Sequence, residues 1–195
     1  MDYSIYMEST PNPSVMKFVA NRILVDKNIE LFKESGSNNI GIADALFNFP
    51  FIQSIFLSGN FISIKKDDSI EWEEVAMQIR VLIVEKLNEE GIKNHAENFI
   101  SNRQKDNLSS QKENTYTTET EKEIAAILEQ YIKPAVEADG GYISLKSFKE
   151  GIVTVSLKGA CSGCPSSTIT LKQGVENLLK QKVGDVIKDV VADQD

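Results

Sequence analysis

The chain of 195 residues holds two cysteines, and both fall in one window, Cys161-Ser162-Gly163-Cys164. That count excludes a disulfide-stapled framework and any site that takes three or four cysteines from one chain. Apolar burial must hold the fold together, and a hydrophobic fraction of 41% is enough for one or two modest cores. The cysteine window lies between an alternating run, Val153, Val155 and Leu157, and a helical pattern that starts at Pro165. Gly159 and Gly163 permit a tight backbone path, and Pro165 suits a first helical position, where a missing N–H costs nothing. Cys164 is therefore expected at or beside a helix N-cap, where unpaired N–H groups and the helix dipole stabilise a thiolate. Lys158 adds positive potential. With no aliphatic residue larger than Ala160 in the loop, both thiols are expected to face outward.

Charge and hydropathy divide the chain. Residues 1–98 carry 9 basic and 15 acidic groups, residues 99–120 carry 3 of each, and residues 121–195 carry 9 and 11. Between 101 and 120 the large apolar residues are Leu108 and Tyr116, too few to offset chain entropy. The sequence predicts two domains, 1–98 and 121–195, joined by a flexible polar linker at 99–120. The expected fold class is α+β, each domain a short β-sheet packed against helices.

In the first domain, strands are predicted from Tyr3, Ile5 and Met7, over 15–20 with 22–25 as a continuation, and over 52–57 and 61–65 around a Ser58-Gly59-Asn60 turn. Thr10-Pro11-Asn12-Pro13 reads as a rigid turn. A short helix is expected at 43–49. A long one is expected at 69–90, with Asp68 and Glu71 at capping-box spacing and Gly91 as its C-terminal cap. Its stripe of Trp72, Val75, Ile79, Leu82, Ile83 and Leu87 suits a helix lying on a sheet. In the second domain, Ile124, Ile127, Leu128, Tyr131, Ile132 and Ala135 predict one amphipathic helix, ended by Gly140-Gly141. Strands at 142–148 and 153–157, a helix at 165–180 and a strand at 186–191 follow, giving three strands with helices on one face.

Four chemistries fit a C-x-x-C at a helix start. Idle thiols are one. A thiol–disulfide oxidoreductase is another, opposed by the lack of a visible βαβ order and of a flanking aromatic or Pro-rich motif. Structural zinc wants four ligands, and the chain adds only His95, which reads as a solvated helix-end residue. An iron–sulfur cluster of either common nuclearity takes four thiolates, and a two-fold dimer supplies two from each copy. The count favours this shared, labile arrangement.

The segments PAVEADGGYISL (134–145) and GIVTVSLKGACSGCPSSTITLKQGVENLL (151–179) closely resemble the C-terminal domain of NifU, the module of Nfu-type iron–sulfur carriers. ESTPNPSVMKFV (8–19), FLSGNFISI (56–64) and the helix beginning at Trp72 resemble the Nfu N-terminal domain. The resemblance implies a carrier, not an enzyme. It implies a [4Fe–4S] cluster held by Cys161 and Cys164 across a homodimer, with [2Fe–2S] left open. Iron–sulfur assembly proteins would be its donors and apo-proteins its recipients. It assigns the cysteine-free N-terminal domain to partner recognition. Tyr142 departs from the acidic residue that many members have after Asp-Gly-Gly. The scaffold and ferredoxin-like domains of full-length NifU are not seen, which implies carriage rather than de novo assembly. Asp139-Gly140-Gly141 itself reads as a helix exit needing glycine conformations, with Asp139 capping a backbone group.

A net charge of -8 argues against nucleic acid and against anionic lipid as partners. The start MDYSIYMESTPNPS has neither a basic cluster nor an apolar core, and the longest aliphatic run is 81–84. A reduced, cytoplasmic location is expected.

Overall fold

In the computed structural model the described residues are 2–35, 40–89, 118–162 and 165–193, the side chains of 165–168 aside. The chain divides into two compact units, 1–110 and 111–195. The predicted linker lies almost wholly outside the described residues. Its last two positions already belong to a helix that starts at Glu119.

The first unit is a five-stranded antiparallel sheet with helices on one face. Its strands are β1 (Ile5–Ser9), β2 (Val15–Ala20), β3 (Ile29–Phe32), β4 (Ile52–Ser58) and β5 (Phe61–Lys66), in the order β1-β2-β5-β4-β3. Alternation sends Ile5, Phe18, Leu31, Ile55 and Ile64 to one face, where α1 (Gly41–Phe47) and α2 (Trp72–Glu89) cover them. From α2 the buried residues are Trp72, Val75, Ala76, Ile79, Ile83 and Leu87, the predicted stripe with Ala76 added and Leu82 half-buried. The Thr10–Pro13 turn is tied by its own side chains. Thr10 Oγ1 donates to the Asn12 and Val15 carbonyls, both at 2.9 Å, and Asn12 Oδ1 accepts from Ser14 N at 3.1 Å.

Three expectations change here. Residues 22–25 do not extend β2; Leu24 and Val25 are buried, and their N–H groups donate to the Gly59 carbonyl at 2.8 and 3.1 Å. The strand that follows is β3 instead, at the sheet edge opposite β1, and its Ile29–Leu31 alternation was there to be read. The Asp68–Glu71 box does not form. Asp67 Oδ1 accepts from Ser69 N at 2.9 Å, Asp68 Oδ1 accepts from Ser14 Oγ at 3.1 Å, and α2 begins only at Trp72. Gly91, the expected cap, lies outside the described residues.

The second unit opens with α3 (Glu119–Ile127). Thr118 and Glu121 form its capping box: Thr118 Oγ1 accepts from Glu121 N at 3.2 Å, and Glu121 Oε2 accepts from Thr118 N at 3.0 Å. The predicted single helix is interrupted by a π-turn at Leu128–Ile132 before α4 (Lys133–Ala138). Lys133 N donates to the Leu128 carbonyl, five residues back. Pro134 has no N–H for an α-helical bond, and the wider turn absorbs the break. The extra residue rotates the helix, so the core face passes from Ile124, Ile127 and Leu128 to Val136. Tyr131 and Ala135, predicted as core, are exposed.

Strands β6 (Gly141–Lys149), β7 (Ile152–Gly159) and β8 (Asp189–Asp193) form a sheet in that order. Glu150 at φ +54° and Gly151 at φ +89° make the two-residue hairpin between β6 and β7. After β7 the chain enters α5 (Pro165–Val183) and returns as β8, which pairs parallel with β7. This is a βαβ unit. The expectation that no such order exists in the chain is overturned: the strand expected at 186–191 forms as β8, and its parallel pairing with β7 is what the sequence did not show.

Candidate metal centre

The loop bearing the cysteines leaves the end of β7 and enters α5 at Pro165, as predicted. Its geometry is set by the Asp139-Gly140-Gly141 segment beside it. Gly141 pairs with Gly159 in the β6–β7 register, and Tyr142 with Lys158. Gly140 stands at φ +78° and its carbonyl accepts from Ala160 N at 3.1 Å. Gly159, at φ +65°, turns the chain out of the strand. Its carbonyl accepts from Ser162 N at 3.1 Å and from Ser162 Oγ at 2.9 Å.

These turns bring Cys161 down onto Gly141. A Cβ placed on Gly141 would lie 2.5 Å from Cys161 Sγ and 3.0 Å from the Lys158 carbonyl oxygen. Only a residue without a side chain leaves room for the sulfur. Cys161 is 7% exposed and packs with the core that includes Leu157, Val175 and Leu179. The expectation of an outward-facing thiol is therefore wrong for Cys161. A small loop can still sink a sulfur when glycines beside it remove the side chains that would hold it off. Cys164 and Gly163, the other predicted contributors, lie outside the described residues, as does His95. Among the described residues no group of three or more His, Cys, Asp or Glu comes together.

Sequence reasoning treated Asp139-Gly140-Gly141 as a helix exit. It is one, since Asp139 N donates to the Ala135 carbonyl at 3.1 Å, and it is also the seat of the cysteine loop. The two consecutive glycines were the available signal: one suffices for a helix exit, while the second is needed only for close approach. Next to that seat, Lys133 Nζ lies 5.1 Å from the Tyr142 ring centroid and donates to both Glu129 carboxylate oxygens, at 3.0 and 2.7 Å. Partial burial pulls the Lys133 pKa down, but the Glu129 hydrogen bonds and the nearby acidic groups outweigh it and hold the ammonium above its ordinary value. Nearer the middle of α5, Lys172 pairs with Asp189 at 3.0 Å and ties the helix to β8.

Comparison with known proteins now bears on this geometry. The family model for the NifU-like domain matches residues 124–190, from the first helix of the second unit through the cysteine loop and α5 to the start of β8. The model for the Nfu/NifU N-terminal scaffold domain matches residues 5–90. The chain belongs to the Nfu/NifU-like family. Among curated relatives of this family, NifU-like protein 5, mitochondrial, of Arabidopsis thaliana is 32% identical over 93% of this chain and 65% of its own length. NFU1 iron-sulfur cluster scaffold homolog, mitochondrial, of Homo sapiens is 27% identical over 97% of this chain and 73% of its own. The chain thus spans a little under two thirds of the Arabidopsis relative. A solution structure of a NifU-like protein from Saccharomyces cerevisiae aligns with a TM-score of 0.39 at 25% identity, over 43% of this chain and 76% of that one. Relatives named as mitochondrial overturn the expected cytoplasmic location.

Proposed function

We propose that this Nfu/NifU-like chain is an iron–sulfur cluster carrier, rather than an enzyme, that holds a cluster with Cys161 and Cys164 and passes it to apo-proteins. The observation that supports the reading best is the seat of Cys161. Gly140 and Gly141 hold the loop by a backbone hydrogen bond and by the absence of a side chain, which fixes one sulfur at the mouth of α5. Both of the chain's cysteines belong to this loop. Common clusters take four thiolates, so two copies of the loop complete one site. The human relative is named as a cluster scaffold, which agrees with this cargo. We favour [4Fe–4S], bridging a homodimer, with assembly proteins as donors. A cluster shared between chains is released when the two halves separate, which suits delivery.

The βαβ unit gives a second reading some support, because a C-x-x-C between a strand and a helix start is also the dithiol redox arrangement. One experiment separates the two. Protein loaded anaerobically with iron and sulfide is expected to gain cluster absorbance, which a Cys161→Ser, Cys164→Ser double variant loses completely. Cluster retained by the double variant contradicts the carrier reading. Disulfide turnover by metal-free monomer, without cluster binding, establishes the oxidoreductase instead.

A further inference from the structure

The outer surface of α2 carries an apolar groove that the cluster chemistry does not use. Met77 and Val81, one turn apart, are 57% and 47% exposed. With Gln78, Leu82, Glu85 and Phe49 they line a depression of about 440 Å³. Met77, Val81 and Glu85 form one i, i+4, i+8 ridge, and Gln78 and Leu82 form the next. Parallel ridges of this kind accept the ridge of another helix.

Carboxylates stand along the α2 side of the groove. Glu85 lines it, and Glu73 and Glu74 stand one turn before Met77. Among the described residues these three carboxylates have no ion-pair partner. The cations nearby are engaged. Arg80 Nε donates to the Ile5 carbonyl at 2.5 Å, Lys86 pairs with Glu89 at 3.1 Å, and Lys33 Nζ donates to the Phe49 and Pro50 carbonyls at 2.8 and 3.0 Å. Carboxylates along one side of an apolar floor favour a helix with apolar residues on one face and Lys or Arg beside them.

We propose that this groove is a docking site for a basic amphipathic helix of a partner protein. Occupancy needs no cluster, so it is measured on the metal-free full-length chain. The probe is a fluorescein-labelled leucine–lysine amphipathic peptide about four turns long, read by anisotropy beside its leucine–glutamate counterpart. The basic peptide should bind, and its affinity should fall about tenfold in a Met77→Glu, Val81→Glu variant. It should also fall on Glu74→Lys, Glu85→Lys substitution. All four sites lie on the surface of α2, and circular dichroism confirms that the fold is kept. The first variant is the decisive one, because it adds negative charge: attraction by charge alone would tighten binding, whereas loss of an apolar seat weakens it. Unchanged or tighter binding by that variant overturns the proposal, as does equal binding of the acidic peptide or no binding of the basic one.

Discussion

A methyl group added at Gly141 meets Cys161 Sγ at 2.5 Å and the Lys158 carbonyl at 3.0 Å, and the second contact is backbone that cannot swing away. Gly141→Ala is therefore expected to destabilise the second unit by about 1–3 kcal/mol, the usual range for overpacking. It should also displace the cysteine loop. Thermal unfolding checks the first effect, and reduced cluster loading at a temperature where the variant stays folded checks the second. Gly174, on α5, has open space around its Cβ position and serves as the control; Gly174→Ala should lower neither stability nor loading. The C-x-x-C, its place before a helix and the glycines around it were all legible in the sequence. The depth of Cys161 was not, because it depends on a β6–β7 register that places Gly141 opposite Gly159, and register follows from pairing across the sheet.

At the scale of elements, the π-turn decides which residues of the first helix pair are core. Strict helical periodicity assigns Ala135 to the core; the inserted residue gives that place to Val136, which is 2% exposed. Val136→Ala should cost about 2 kcal/mol, in keeping with loss of buried methyl groups. Ala135→Ser should stay within about 0.5 kcal/mol, as surface changes do, and urea denaturation measures both. Pro134 was the available warning, since a proline inside a helical pattern signals a break. It does not say whether the break is a kink, an end or a wider turn. At the start of β8, Asp189 accepts a hydrogen bond from Lys172 of α5, which lowers its pKa; slight desolvation opposes this and the Val190 N–H assists. A carboxylate depressed in the folded state adds stability above its unfolded pKa and loses it as pH falls through the folded value. Acid titration of the second unit should show this loss below the ordinary carboxylate range, about pH 3.9, and Asp189→Asn should remove that part of the dependence.

Across the whole molecule, the two units keep separate apolar clusters, one from Ile5 to Leu87 and the other from Ile124 to Val190. The two-domain organisation was legible because a stretch with almost no large apolar residues separates two stretches with clear periodicity. The hairpin strands β4–β5 and β6–β7 were legible for the same reason, each pair alternating around a turn of glycine and polar residues. The last strand was legible too, expected at 186–191 and found as β8, but its parallel pairing with β7 was not, and β3 was missed although its short Ile29–Leu31 alternation is in the sequence. With the cysteines confined to the second unit and the groove to the first, the proposed cargo and the proposed docking fall to different domains. In the proposed carrier, one chain holds half a cluster site. Native mass spectrometry of anaerobically loaded protein tests it most directly, by weighing the intact assembly with its iron and sulfide. One cluster per two chains, with dimers lost when Cys161 and Cys164 are both replaced by Ser, is the predicted result; a cluster held by a single chain, or dimers that persist unchanged without cluster or cysteines, would contradict it.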